Sequence, residues 1–212
     1  MWGPGESRWD EFTSDPAKPV PHTQEIARGM NKEYMTEDQR FAARRPDVLS
    51  WTSEPLEDPL TLAGPSVAEL LVTTTREDAD WVVKLVDVFP DAEPDPPGLA
   101  AHQKMGGYHM LVRSEVLRGR YRDGYETPKP FAPGESAAVA VPLLDVLHTF
   151  ERGHRIQVQV QSTWFPLVDR NPQKWVPNVY LARDDDFASA THRVLRGSSL
   201  RVGVLPAPGA AR

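Results

Sequence analysis

Hydrolytic chemistry on a serine would have to use Ser66 in Gly64-Pro65-Ser66, Ser136 in Gly134-Glu135-Ser136, or Ser198 and Ser199 after Gly197. A nucleophile elbow lifts its serine on Gly-x-Ser-x-Gly at a strand-to-helix turn, and each of these segments lacks the second glycine. They read as turn residues. Metal chemistry would need convergent carboxylates or imidazoles. Asp87, Asp91, Glu93 and Asp95 follow a strand and could offer oxygens to calcium. Pro90, Pro94, Pro96 and Pro97 stiffen that run without the glycine and spacing of an EF-hand, so a solvated acidic loop is expected and no metal is assigned. Asp184, Asp185 and Asp186, even with His192, cannot all turn toward one ion from an extended chain. The histidines at 22, 102, 109, 148, 154 and 192 have no His-x-His or His-x-x-x-His spacing and read as structural. His154, after Gly153, is expected to bond at a sheet end. Cysteine is absent, which removes thiolates, disulfides and cysteine-based metal sites. No carboxylate pair for glycosidic chemistry stands out, and no cofactor is implied.

One segment does stand out, Ser162-Thr163-Trp164-Phe165-Pro166-Leu167-Val168-Asp169-Arg170-Asn171-Pro172. Two aromatics leave a strand, a proline stops it and a polar turn follows. It reads either as a surface that stacks on a sugar or docks against another domain, or as a folded-back corner in which Asp169 caps backbone amides and Arg170 pairs with an acid.

The elements that must hold this segment follow from composition and period. Proline occurs 21 times in 212 residues, about twice the usual share, which disfavours long helices and favours short elements joined by turns. A formal charge of −6 gives no basic footprint for nucleic acid. No run of 18 apolar residues suggests a membrane span, and the start, MWGPGESRWDEF, has no signal-peptide pattern. The chain is therefore expected to be soluble, cytoplasmic if complete and periplasmic or secreted if a fragment.

Residues 1–45, with prolines at 4, 16, 19 and 21, read as an irregular lead-in lying on something else. Thr36-Glu37-Asp38-Gln39 has the form of a capping box, and a short helix should end at Arg45, before Pro46. Residues 46–212 read as a β-sandwich. Val48–Thr52, Ser66–Thr75, Asp80–Val88, Tyr108–Val116, Ala137–Val141, His154–Trp164, Thr191–Leu195 and Leu200–Leu205 have strand composition. In His154–Trp164, Ile156, Val158, Val160 and Trp164 should face a core, and Arg155, Gln157, Gln159 and Gln161 should face water or a polar partner. Asp80–Val88 is apolar on both faces apart from Lys84 and Asp87, as suits a central strand or one covered by the lead-in. No long helices alternate with the strands, so the fold is all-β: a two-sheet jelly roll with a Pro-rich lead-in and at most short helices.

Several motifs resemble one family. Arg45-Pro46-Asp47-Val48-Leu49, Asp80 through Asp91, Arg118-Gly119-Arg120-Tyr121-Arg122, Gly153 through Val160, and Trp-Phe-Pro-x-x-Asp-Arg-Asn-Pro resemble the third domain of the cocaine esterase and X-Pro dipeptidyl-peptidase group of serine hydrolases. The likeness extends over about residues 4–205 and is greatest to α-amino acid ester hydrolases and glutaryl-cephalosporin acylases. It implies a galactose-binding-type jelly roll that follows an α/β-hydrolase domain carrying a Ser-Asp-His triad. None of the triad has a counterpart in this chain, so the resemblance implies a non-catalytic module, inactive alone, whose partner is that catalytic domain. It further implies that Trp164, Phe165, Asp169, Arg170 and Asn171 face the domain junction, with Leu70 and Leu71 beside them. The alternative is a free-standing carbohydrate-binding module with Trp51, Trp81 and Trp164 as candidate platforms, of which Trp81 reads as core. A homo-oligomer and an autonomous enzyme with a new site stay open.

Overall fold

The computed structural model describes residues 8–25, 32–99 and 103–206, so Pro4 and His102 lie outside the described residues. Among the described residues, nine strands form two antiparallel sheets. The first sheet contains β1 (Trp9–Ser14), β3 (Leu60–Thr74), β6 (Ala137–Phe150), β8 (Ala190–Leu195) and β9 (Ser199–Val204). The second is ordered β2 (Leu49–Thr52), β7 (Arg155–Gln161), β4 (Asp80–Val88), β5 (His109–Arg118). In the first sheet β3 pairs with β6 along one side, while β8 and β9 share its other side, and β1 pairs with β8. The architecture is the expected two-sheet sandwich.

Alternation builds the core. Along β6, Val139, Val141, Leu143 and Val146 are buried between more exposed neighbours, and they meet Trp81, Val83 and Leu85 of β4 with Phe12, Leu62, Val72, Phe150 and Val160. Strands with apolar residues on one face need a second sheet to remove that face from water, which is the main driving force here.

One feature departs from the sequence reading, and a second decides an alternative that it left open. Residues 9–14 form strand β1 rather than irregular chain, because β8 offers an open edge in register from Trp9↔Leu195 to Ser14↔Ala190. The open alternative concerns the glutamines of β7, expected to face water or a polar partner. Gln157, Gln159 and Gln161 are buried, not hydrated. The lead-in crosses this face, placing α1 (Arg40–Ala43) and the turn before it over the sheet. Lys84 Nζ donates to Gln39 Oε1 at 2.9 Å, Gln159 Nε2 to Gln157 Oε1 at 2.8 Å, and Gln157 Nε2 to Thr52 Oγ1 at 2.8 Å. A polar partner therefore covers the polar face, and Lys84 carries no exposure. The short helix forms where expected, but Asp38 rather than Thr36 accepts from its first amide, at Arg40 N. Among the described residues, no helix is long and apolar enough to cross a membrane.

Candidate functional site

The distinctive segment begins where β7 ends. Gln161 Nε2 donates to the Thr163 carbonyl at 2.7 Å, and Val168 N returns to the Trp164 carbonyl at 2.9 Å, folding 164–168 into a corner with a cis Phe165–Pro166 peptide. The lead-in is fastened to this corner. Val20 N donates to Thr163 Oγ1 at 2.7 Å, Phe165 N to the Val20 carbonyl at 2.9 Å, and His22 N to the Phe165 carbonyl at 2.9 Å. Trp164 lies inside, 4% exposed, with the Lys84 ammonium 4.8 Å from its ring centre and Tyr34 edge-on at 5.6 Å. Phe165 points outward and keeps 39% exposure. Arg170 spans from Phe165 to Phe187, at 5.7 and 4.8 Å from their ring centres, and donates to the Pro16 carbonyl at 2.9 Å.

Beyond the corner, buried charges are paired at the start of β4. Arg118 bridges Asp169 at 2.8 Å and Asp80 at 3.3 Å, and Asn171 Nδ2 donates to Asp80 Oδ1 at 2.7 Å. Arg120 pairs with Asp78 at 2.6 Å, donates to the Val176 carbonyl at 3.0 Å and lies 4.4 Å from the Trp175 ring centre. Burial pushes the Asp80 carboxyl up to about 7 against the pull of Arg118, and raises Asp78 against Arg120. Gly119 sets both arginines. A Cβ there would stand 2.6 Å from the Ala79 carbonyl oxygen and from Phe131, so only glycine lets the chain pass and turn. Outside these pairs opens a cleft of about 590 Å³, lined by Asp80, Arg118, Arg120, Tyr121, Tyr125 and Tyr180 among others. Tyr125 and Tyr180 are 79% and 80% exposed. Neither was singled out by sequence, because a lone tyrosine in a polar loop has no periodic signal.

The structure brings five of the expected residues together and separates the rest. Trp164 and Asn171 belong to the corner but are buried, so they shape it rather than present a surface. Asp169 pairs with Arg118 instead of capping amides, and Arg170 holds the lead-in carbonyl instead of an acid. Leu70 is buried in β3 of the opposite sheet, and Leu71 beside it is half-buried. Trp81 is core as expected, while Trp51 is half-buried with Nε1 donating to Asp10 at 2.8 Å, so neither is an open platform. The acidic run is not uniformly solvated. Asp87 is buried and bonded to His148 at 2.9 Å and His154 at 2.8 Å, because the strand carries it inside before the prolines begin. Asp91 is exposed, Glu93 lies 3.8 Å from His154, and Asp95 pairs with Lys104 at 2.6 Å. Asp186 accepts from Arg183 N at 2.8 Å, whereas His192 is enclosed in the core between Phe12 and Trp81. No group of three metal-ligating side chains converges among the described residues.

Fold and corner together define a two-sheet sandwich module, in keeping with the motif resemblance. The chain belongs to the X-Pro dipeptidyl-peptidase C-terminal non-catalytic domain family, which it matches over residues 12–202. It is 33% identical over 195 residues to cocaine esterase of Rhodococcus sp. (strain MB1 Bresler), covering 91% of this chain and 31% of that protein. An aminopeptidase from the marine sediment archaeon Thaumarchaeota archaeon superposes with a TM-score of 0.86 at 44% identity, over 93% of this chain and 33% of its own. An α-amino acid ester hydrolase gives 0.86 at 41%, over 96% and 33%. The chain thus spans about a third of the length of these relatives.

Proposed function

We infer that the chain is the non-catalytic module of a serine hydrolase acting on esters, amides or X-Pro dipeptides, and that it buttresses an α/β-hydrolase catalytic domain and its substrate cleft. The observation that carries this reading is the match of residues 12–202 to a non-catalytic domain within relatives about three times as long. Its docking face is the corner where the lead-in is fastened. Phe165 is exposed there, Arg170 braces it, and Met35, next to Tyr34 on the lead-in, is 53% exposed. Apolar and aromatic side chains ringed by polar groups are the usual composition of such a contact. Trp164 and Asn171 support the face from beneath.

The experiment is calorimetric titration of the chain with a separately produced α/β-hydrolase domain from the 41%-identical α-amino acid ester hydrolase. Phe165→Ala and Arg170→Ala should each weaken association at least about tenfold, as truncation of an interface anchor does. Unchanged association would remove the corner as the docking face, and no association of the wild-type chain would overturn the partner. The chain alone should leave phenylglycine methyl ester intact.

A further inference from the structure

We propose that the cleft outside the Asp80–Arg118 pair binds a neutral carbohydrate, with Tyr125 and Tyr180 as stacking faces and Arg118 as a donor to sugar hydroxyls. The cleft is separate from Phe165 and Met35, and its volume of about 590 Å³ lies within the range of roughly 300–1,000 Å³ typical of small-ligand sites. Its ligand class follows from what its residues have left to offer.

The charges beneath the cleft are satisfied internally. Asp80 Oδ1 accepts from Asn171 and Arg118, and Oδ2 accepts from Arg118 Nη2. Asp78 accepts from Ala79 N and from Arg120. An amine would find no open carboxylate at Asp78 or Asp80, since a buried acid already holding two donors gains little from a third. Asp169 is not among the residues lining the cleft. An anion fares worse. Arg118 and Arg120 face three carboxylates, Asp78, Asp80 and Asp169, so phosphate or sulfate meets no unpaired cation.

What remains is uncharged recognition. Arg118 uses Nε and Nη2 on its acids, and Nη1 has no acceptor among the described residues. Among the described residues Asn178 engages only Oδ1, which accepts from Tyr180 N at 3.0 Å, so its amide nitrogen is available. Tyr121 stands 5.5 Å from Tyr125, extending the aromatic wall, and Tyr180 rises from the loop that carries Asn178. Fixed donors beside exposed rings complement a pyranose, which offers hydroxyl oxygens on its edge and C–H bonds on its face. Arg118 is held by its ion pairs to Asp80 and Asp169, so little of its side-chain entropy is lost when a sugar binds.

The test is a glycan array probed with the 212-residue chain, followed by calorimetric titration of the neutral glycan retained best. The double variant Tyr125→Ala/Tyr180→Ala should lose at least about tenfold in affinity, since each exposed ring gives up a stacking contact. Its thermal midpoint should match the wild type, because neither ring is buried. An array on which no glycan is retained overturns the proposal, as does retention of sulfated or phosphorylated glycans alone, or full affinity in the double variant. Phe165→Ala should keep its glycan affinity, so loss of docking and loss of sugar binding are read separately.

Discussion

The two faces of the β7–β4 pair are both buried, yet they are built from opposite chemistry. Inward, Trp81, Val83, Leu85, Ile156, Val158 and Val160 meet the other sheet in an apolar core. Outward, Lys84 and Gln159 bond Gln39 of the lead-in, while Gln157 and Gln161 bond Thr52 and the Thr163 carbonyl. Glu37 Oε2, Ser50 Oγ, Gln159 Oε1 and Trp164 Nε1 are buried without a partner among the described residues. The inner face holds the fold together by removing apolar surface from water. The outer face gains little net free energy per bond, and its unpaired groups offset part of that gain. It therefore serves to place the lead-in in one register over the sheet, and the lead-in brings Tyr34 and Met35 beside the corner.

Truncation should cost most on the inner face. Trp81→Ala should cost about 3–5 kcal/mol in chemical denaturation, the range for removing a large enclosed aromatic. If Gln159→Ala costs as much, the distinction between the faces fails. His192 probes the same core by pH. Burial between Phe12 and Trp81 holds its imidazole down at about 3, against an ordinary value near 6.5. The unfolded chain thus binds the extra proton first, and stability from this residue is lost as pH falls from 6.5 toward 3. The loss at pH 5 is about 2 kcal/mol. Asp80, held near 7, acts oppositely, since the fold favours its protonated form as pH falls through the same window. The readout is therefore the difference between wild type and His192→Leu, which should shift in favour of the variant between pH 7 and pH 5. A constant difference would mean that the imidazole is solvated.

The smallest effect belongs to the outer face. Burial draws the Lys84 ammonium down to about 7, whereas the unfolded chain titrates near 10.5. The unfolded chain binds more protons between those values, so the wild type gains stability as pH rises through them. Lys84→Met should be more stable than the wild type by about 1–2 kcal/mol at pH 7, the common result of replacing a buried ion by an apolar side chain. That margin should shrink toward pH 10. A margin that does not change with pH would show that the polar layer solvates the ammonium fully.

These faces also mark what the sequence could convey. Asp80–Val88 was legible to the residue, because apolar side chains on both faces of a short run require a covered central strand. The glutamines of β7 alternate as on a water-facing strand, and their cover comes from Gln39, 120 residues away from Gln159, which no local pattern reports. Strand β1 was missed for a related reason: Trp9–Ser14 is short, with charged Asp10 and Glu11, and becomes a strand through its pairing with β8. At the site, residue type was informative and exposure was not. The Trp-Phe-Pro corner announced itself, but only tertiary packing decides that Trp164 goes in and Phe165 stays out.

The pairing of β1 with β8 joins residues as far apart as Glu11 and Arg193, 182 positions along the chain, whose side chains meet at 2.8 Å. A ribosome adding residues one at a time must release nearly the whole module before its first strand can find an edge, so closure is delayed until synthesis of this region is almost complete. Until then the unpaired side of β3, where β8 and β9 belong, is open to neighbouring chains. An unpaired strand side is a template for pairing with another chain, and the arrival of β8 and β9 is what covers it.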